Sequence, residues 1–287
     1  MKKIIVPTDF SATSIVAFRY ALPLAEALGI KEIKLISVYH EPINVKDEAY
    51  ISALAVEEAK RKCEAKLLEF IEIENFRHPL SIKVSFEAIH GYASNRLIEA
   101  AEESDVALIV MGTTGAHDTL DAWLGPVSLN VARYARRPVL LVPTAVKYAP
   151  IEQILYACDF KQTDFDLHAE GILAEWAKKF NAKVKVLFIS KDGDEYTLDQ
   201  TVMREIFRLD APQVPISTQV LESPATVQTI KNYALEMAFD LIVMATQKRD
   251  FSKSYSIKVL LKNSLGTPTY LFWCFIKRIL ENKIETA

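Results

Sequence analysis

A chain of 287 residues is long enough for two domains of ordinary size, and its composition, half hydrophobic and a quarter charged, is typical of a soluble globular protein. Its formal net charge of -3 gives no electrostatic basis for binding nucleic acid, and no apolar stretch reaches the ~20 residues that a membrane-spanning helix needs. The start of the chain turns polar after three apolar residues, unlike a signal peptide, and the three cysteines are far apart, so we expect a cytoplasmic protein with reduced thiols.

In the first half, short apolar runs alternate with helical patterns. The runs predict strands at residues 4–6, 34–38, 82–86, 106–111 and 139–142. Apolar periodicity between them predicts a helix that stops at Gly29, a long helix over residues 47–73, a third over 94–103, and a fourth with Pro126 in its first turn. Strands that alternate with helices indicate a parallel sheet with right-handed crossovers.

The second half repeats this order. Residues 154–160 align with residues 4–10, and residues 240–246 resemble residues 107–113. A last apolar run follows Pro268, as residues 139–142 follow Pro138 in the first half. A period of about half the chain indicates a duplicated domain, and we predict two domains over residues 1–146 and 150–287.

The chain's glycines are concentrated in residues 105–128. Three of the eight, Gly112, Gly115 and Gly125, lie here between an apolar strand and a helix. Glycines let backbone N–H groups approach a phosphate, and a helix N-terminus carries about half a positive charge. The segment therefore predicts an anion-binding loop. In the second half Ala245 and Lys248 replace the first two glycines, so we expect that half to be degenerate and not to bind.

This segment resembles the nucleotide-binding loop of the universal stress protein family. In that pattern two residues separate the first two glycines, nine separate the second from the third, and Ser or Thr follows. Gly112, Gly115 and Gly125 match the spacing, whereas Pro126 departs from it and has no N–H to donate to a phosphate. The hydroxyl of Ser128 lies two positions further on. We therefore expect a working but weakened site, or one that prefers fewer phosphates.

The resemblance covers nearly the whole chain and implies an α/β fold. It implies two tandem Rossmann-like domains of the adenine nucleotide alpha-hydrolase type, each a five-stranded parallel sheet with helices on both faces. It also implies that the two halves pair within the chain through their final strands, and it leaves a homodimer of the whole chain open. The implied function is that of a stress-response regulatory protein that binds ATP or AMP, with or without Mg2+, in its N-terminal domain.

The resemblance also implies roles for single residues. The aspartate at the position of Asp9 contacts the adenine or ribose, and the residue at Val38 lines the adenine pocket. Alternatively, Asp9 only caps the next helix together with Ser11 and Thr13, Val38 is a core residue, and His117 is an exposed loop histidine instead of a phosphate contact. The complete set of implied nucleotide-binding residues is Pro7, Thr8, Asp9, Val38, Met111, Gly112, Thr113, Gly115, His117, Gly125, Pro126, Val127 and Ser128.

Two other hypotheses remain open. The chain could be an enzyme of the same superfamily that hydrolyses the nucleotide slowly. However, the loop supplies only Asp118 and Asp121 as carboxylates, and their spacing indicates surface positions, so we expect no catalytic residue. The histidines lack metal-ligand spacing, so we expect no metal site formed by protein side chains. Alternatively, Pro126 abolishes binding, and the protein acts through contacts with other proteins alone.

Overall fold

The chain divides into two units, Met1–Lys147 and Tyr148–Ala287. In the computed structural model the described residues are 2–40, 49–113, 120–144, 146–158, 167–190, 214–223, 226–244 and 273–276. Among them, no helix is both long enough and apolar enough to span a membrane.

Five parallel strands form the sheet of the first unit. They are β1 (Lys3–Pro7), β2 (Glu32–Tyr39), β3 (Lys83–His90), β4 (Val106–Thr113) and β5 (Val139–Pro143). Their order is β3-β2-β1-β4-β5, and each neighbouring pair is parallel. The chain therefore starts in the middle of the sheet, builds outward on one side, and then crosses β1 to build the other side. The α/β fold predicted for this half is confirmed.

Four helices connect these strands. They are α1 (Ala12–Leu28), α2 (Ala49–Arg77), α3 (Ala93–Ala100) and α4 (Leu120–Tyr134). The hydroxyl of Ser11 caps α1 by accepting a hydrogen bond from the N–H of Ser14, and Gly29 ends that helix as predicted. In contrast, α4 is interrupted, because Gly125 inside it has a non-helical backbone.

The core of the first unit lies where the helices cover its central strands. The inner residues of β1 and β4 are almost completely buried, as expected for apolar strands in the middle of a parallel sheet. Phe18 and Leu24 of α1 are fully buried. The long helix α2 buries only one stripe, which includes Cys63, Leu67 and Phe70.

An ion pair also joins α1 to α2. Nε and Nη2 of Arg19 each donate to a carboxylate oxygen of Glu74, both at 2.8 Å. Glu74 is only 4% exposed, so its buried carboxylate needs this bidentate partner, and Arg77 adds a longer contact at 3.4 Å. Hydrogen bonds and packing therefore both fix α2 on α1.

The second unit repeats the α/β order. Its elements are β6 (Gln153–Cys158), α5 (Leu167–Phe180), β7 (Lys183–Ser190), β8 (Ile216–Glu222), α6 (Thr226–Glu236), β9 (Leu241–Met244) and β10 (Trp273–Ile276). Within this unit the strand order is β10-β9-β6-β7-β8. A hydrophobic cluster that includes Leu155, Leu187, Ile230 and Phe239 joins the sheet to α6.

The last strand of this unit corrects the prediction of five parallel strands. Four strands are parallel, but β10 runs antiparallel to β9, with Phe275 opposite Ile242 and Ile276 opposite Leu241. Of the apolar run that follows Pro268, residues 269–273, only Trp273 lies among the described residues, and β10 begins there. An apolar run indicates a buried strand but not its direction, which depends on the connection that precedes it. That connection, residues 245–272, lies outside the described residues.

Candidate functional site

The candidate site lies at the carboxyl ends of β1 and β4, which are neighbours in the first sheet. From β1 the chain proceeds through α1 to β2 on one side, and from β4 it proceeds through α4 to β5 on the other. This reversal of strand order leaves a crevice in which α/β proteins bind ligands. The candidate site is therefore formed by two turns of the chain, one after β1 and one after β4.

Hydrogen bonds among short polar side chains organise the turn after β1. The hydroxyl of Thr8 lies 3.1 Å from that of Ser14 and accepts a hydrogen bond from the N–H of Phe10 at 3.0 Å. The N–H of Ser11 donates to Oδ1 of Asp9 at 3.0 Å, and the Ser11 hydroxyl donates to the same oxygen. The Ser11 hydroxyl also lies 2.8 Å from that of Thr13. The first turn of α1 is thus held by Asp9 and its neighbours.

These contacts show one of the two roles considered for Asp9. Partial burial raises its pKa, but hydrogen bonds from the side chain and backbone of Ser11 more than offset that effect, so the pKa of Asp9 lies below its ordinary value. Asp9 therefore supports the helix cap and is ionised near neutral pH. Asp9 is exposed to solvent, and both hydrogen bonds from Ser11 go to Oδ1. The same side chain can therefore support the helix cap and contact a ligand.

Phe10 adopts an unusual backbone conformation in the same turn. Its φ is 63°, in the left-handed region, where a bulky residue costs on the order of 1–3 kcal/mol. Its ring packs edge-on against that of Phe70 on α2, with 6.3 Å between the ring centroids. Phe10 is not among the residues predicted from the sequence, because the pattern Asp-Phe-Ser gives no signal for a positive φ in an aromatic residue.

Gly112 makes the closest contact between the two turns. A Cβ atom at this position would lie 2.2 Å from the carbonyl oxygen of Thr13 and 2.5 Å from its carbonyl carbon. No side chain fits there, so glycine is required for the end of β4 to approach the start of α1. The sequence predicted Gly112 as part of a phosphate-binding loop, and the structure adds this packing role. The packing role could not be predicted from the sequence alone, because Thr13 meets Gly112 only in the folded chain.

Gly125 has a different requirement. Its φ of 64° and ψ of 156° lie in a region that only glycine adopts readily, although a Cβ there would meet no atom within 4 Å. The helix resumes at Pro126, where a missing N–H costs no helical hydrogen bond. Pro126 is exposed and Val127 is partly exposed.

Ser128 brings α4 back to the end of β4. Its hydroxyl donates to the carbonyl of Gly112 at 3.4 Å, and the residue is 8% exposed. A hydroxyl has one hydrogen, so Ser128 cannot donate to a phosphate while it makes this bond. Contacts through Ser11, Thr13, Gly112 and Ser128 thus connect Asp9 on one turn to α4 on the other.

Thr113, the last residue of β4, has unused hydrogen-bonding capacity. It is 2% exposed, and its Oγ1 has no hydrogen-bond partner among the described residues. Buried hydroxyls are normally paired, so this group is a candidate for ligand contact. Met111 is buried in the same strand, and Val38 is partly exposed near the end of β2.

The remaining predicted residues cannot be placed. Gly115 and His117 lie outside the described residues. In the described parts of the two turns, residues 7–14, 112–113 and 125–128, Asp9 has the only ionisable side chain. Among the residues that the structure describes, no three His, Cys, Asp or Glu side chains are arranged to hold a metal ion. The described part of the site therefore consists of hydroxyls, backbone groups and one carboxylate, which can bind a ligand through hydrogen bonds.

Sequence comparison gives the family of the N-terminal half. The sequence profile of the universal stress protein family matches residues 1–143. A curated universal stress protein of Methanocaldococcus jannaschii is 30% identical over 145 residues, which cover 49% of this chain and 81% of that protein. A second from the same organism is 29% identical over 153 residues, covering 49% of this chain and 94% of the relative.

A solved structure extends the similarity in fold to both halves. The crystal structure of a universal stress protein from Archaeoglobus fulgidus matches with a TM-score of 0.64 and 24% identity. The match covers 84% of this chain and 86% of that one. The structural match shows the fold, and the sequence match to the first of the two relatives shows that the chain belongs to the universal stress protein family.

Proposed function

We propose that the N-terminal unit binds one adenine nucleotide, ATP or AMP, and that the protein is a cytoplasmic regulatory binding protein of the stress response. The observation that carries the proposal is the series of contacts from Asp9 to Ser128. It brings an ionised carboxylate and the turn after β4 to the same edge of the sheet, at the point where the strand order reverses. Membership of the universal stress protein family supports the same function.

In this proposal each turn holds a different part of the nucleotide. Asp9 accepts hydrogen bonds from the ribose or adenine, and Val38 contacts the adenine. The loop from Gly112 to Ser128 holds the phosphates through its backbone N–H groups. Because Pro126 lacks an N–H and the Ser128 hydroxyl already donates to Gly112, we expect the outer phosphates to add little affinity, so that AMP and ATP bind with similar strength.

Calorimetric titration of the full chain with ATP and with AMP tests the proposal. We expect one site per chain, because the glycine pattern occurs only in the first half. Two equivalent sites would show that the second half also binds, and the absence of binding by either nucleotide would overturn the proposal. Repeating the titration with Mg2+ shows whether the cation takes part.

Two variants separate the ligand role of Asp9 from its capping role. Asp9→Asn keeps an oxygen that can accept from Ser11 but removes the charge, so we expect at least tenfold weaker nucleotide binding with little loss of stability. Ser11→Ala removes the helix cap and keeps the carboxylate. It should cost about 1 kcal/mol of stability. If Asp9→Asn binds nucleotide as tightly as the parent, Asp9 has only the structural role.

Nucleotide turnover is not part of the proposal. Efficient hydrolysis needs a base or a water-positioning group near the phosphates, and the sequence of the loop supplies only Asp118 and Asp121 as carboxylates, at spacing that indicates surface positions. Steady release of phosphate from ATP that is lost in Asp118→Ala or Asp121→Ala would favour the enzyme hypothesis instead.

The pairing of the two halves through their final strands stays a prediction.

A further inference from the structure

Phe10 connects the candidate site to a helix that contributes no predicted site residue. It stands between Asp9 and Ser11, the two residues whose hydrogen bonds define the turn. Its backbone is left-handed, a conformation that a phenylalanine adopts rarely and only when its surroundings enforce it. Two contacts act on Phe10: its N–H donates to the Thr8 hydroxyl, and its ring packs against Phe70 of α2.

Phe70 is a rigid support for that ring. It is 8% exposed, and Phe18 of α1 packs against it edge-on with 5.2 Å between the ring centroids. One turn further along α2, Glu74 receives both hydrogen bonds from Arg19. Phe18 and Arg19 are adjacent in α1, so the packing contact and the ion pair fix the same part of α2. The ring of Phe10 therefore packs on a part of α2 that two contacts with α1 hold in place.

We propose that Phe10 is a positioning residue, whose ring, held on Phe70, keeps the turn after β1 in its left-handed conformation and so aims the Asp9 carboxylate at the nucleoside. The inference rests on the proposed nucleotide-binding function and extends it to a residue that does not itself touch the ligand. Without the ring contact the backbone of residue 10 relaxes to the commoner negative φ. The N–H and hydroxyl of Ser11 then no longer converge on Oδ1 of Asp9.

The proposal also assigns a role to α2. Because Phe10 is held on this helix, any displacement of α2 relative to α1 reaches Asp9 through one pair of rings. A partner or modification that shifts α2 would then change nucleotide affinity from outside the binding edge. The role is specific to Phe10 among the three rings of this cluster, because Phe18 contacts Phe70 but lies in the second turn of α1, away from the hydrogen bonds of Asp9.

The test compares Phe10→Leu with Phe18→Leu in the full chain. Both changes remove one ring from Phe70, but Phe18 is fully buried and Phe10 only partly so. We expect Phe10→Leu to weaken ATP binding about tenfold with a small drop in Tm. Phe18→Leu should lower Tm more, but because the ion pair of Arg19 with Glu74 still holds α2 on α1, the Kd for ATP should stay within about twofold of the parent. A purely structural role for Phe10 would make affinity follow stability in both variants.

A second measurement needs no nucleotide. The pKa of the Asp9 carboxyl, followed by NMR, should be below its ordinary value in the parent and in Phe18→Leu, and should rise towards that value in Phe10→Leu. Phe10→Tyr, which keeps the ring, should restore both affinity and pKa. If the parent fails to bind ATP, the proposed function fails, while the pKa series still tests the positioning of Asp9.

Phe10→Gly separates the ring from the backbone. Glycine adopts the left-handed conformation without strain, but it has no ring to dock on Phe70. We expect it to bind ATP as weakly as Phe10→Leu, since the turn is then permitted but not held. Parental affinity and an unshifted Asp9 pKa in either Phe10→Gly or Phe10→Leu would overturn the inference.

Discussion

The two ends of the N-terminal sheet satisfy their polar groups in different ways. At the amino-terminal end, Lys3 contacts Glu103 and Asp105, and Lys34 contacts Glu103 and Glu87, so every one of these charges has an oppositely charged partner. At the carboxyl-terminal end the polar groups are mostly hydroxyls beside a strained turn, and one of them, that of Thr113, has no partner among the described residues. The amino end thus stabilises the sheet, and the carboxyl end retains capacity for a ligand.

The ionisation of these groups follows the same division. Burial alone would lower the pKa of Lys34, but the hydrogen bonds to Glu87 and Glu103 outweigh it and the pKa is raised. Burial would raise the pKa of Glu103, but Lys3 and Lys34 bring it below its ordinary value. Glu103 and the two lysines therefore favour each other's ionised forms across each oppositely charged pair in the folded state.

The largest effect is expected where the two turns touch. Gly112→Ala places a methyl group 2.2 Å from the Thr13 carbonyl oxygen, and since that atom belongs to the backbone, β4 and α1 must separate. We expect a loss of about 3 kcal/mol in the free energy of unfolding, measured with urea. Gly171→Ala in α5, where a Cβ meets nothing within 4 Å, is the matched control and should not destabilise. A neutral Gly112→Ala would mean that the close approach is not needed.

Gly125→Ala tests strain without a clash. The added methyl group has open space, so the only cost is the positive φ, and we expect a loss of about 1–2 kcal/mol. Nucleotide affinity should fall as well, because Gly125 turns the chain just before the helix that the proposal places at the phosphates. Equal stability of the variant and the parent would show that the kink in α4 relaxes at no cost.

At the opposite end of the sheet, Glu103→Gln should remove about 1 kcal/mol of stability, since Glu103 is partly exposed and both lysines keep another carboxylate. Nucleotide affinity should not change. The exposed pair of Arg96 and Glu99 provides the control, because Glu99→Gln should have almost no effect on either quantity. If Glu103→Gln changed nucleotide affinity and Glu99→Gln did not, the amino-terminal end of the sheet would contribute to binding and the two ends would not have separate roles.

The same ion pairs predict a dependence on pH. The pKa of Glu103 is lowered on folding, so its contribution is present above the unfolded pKa and is lost as the pH falls through the folded value. The pKa of Lys34 is raised, so its contribution is lost as the pH rises through the folded value, above its ordinary 10.5. In urea titrations Glu103→Gln and Lys34→Met should each reduce both losses, because each variant removes one of the two charges and also a partner of the other.

Much of the fold could be predicted because it depends on local patterns. The five strands of the first half follow from apolar runs, and the end of α1 follows from Gly29. The direction of β10 could not be predicted, since a strand's direction depends on its connection and not on its own residues. The helix that begins at Pro126 after Gly125 agrees with the prediction, whereas the helical segment from Leu120 up to Gly125 was missed, because these residues were predicted as part of the loop.

The candidate site could be located from its glycines but not explained by them. Their spacing pointed to the carboxyl end of β4, yet the contact between Gly112 and Thr13 joins residues 99 positions apart in the sequence. Likewise, Phe10 and Phe70 meet only because α2 packs beside α1. Such roles depend on tertiary packing, which no local pattern contains.

Among the residues of the candidate site, the smallest expected change in stability is at Thr113. Its hydroxyl is buried without a partner among the described residues, so Thr113→Val exchanges an unpaired polar group for a methyl of similar size. The free energy of unfolding should stay the same or rise by up to about 1 kcal/mol. Thr8 provides the matched comparison, because it is also buried but its hydroxyl bonds to Phe10 and Ser14. Thr8→Val should therefore destabilise the protein by about 1–2 kcal/mol.

The two threonines then separate stability from binding. If the unpaired hydroxyl of Thr113 is kept for the nucleotide, Thr113→Val should bind ATP about tenfold more weakly although it is at least as stable as the parent. Calorimetric titration gives the affinity, and urea denaturation gives the stability of the same samples. A Thr113→Val protein that is more stable and binds normally would show that the hydroxyl serves no ligand. A destabilised one would show that the hydroxyl has a partner within the fold.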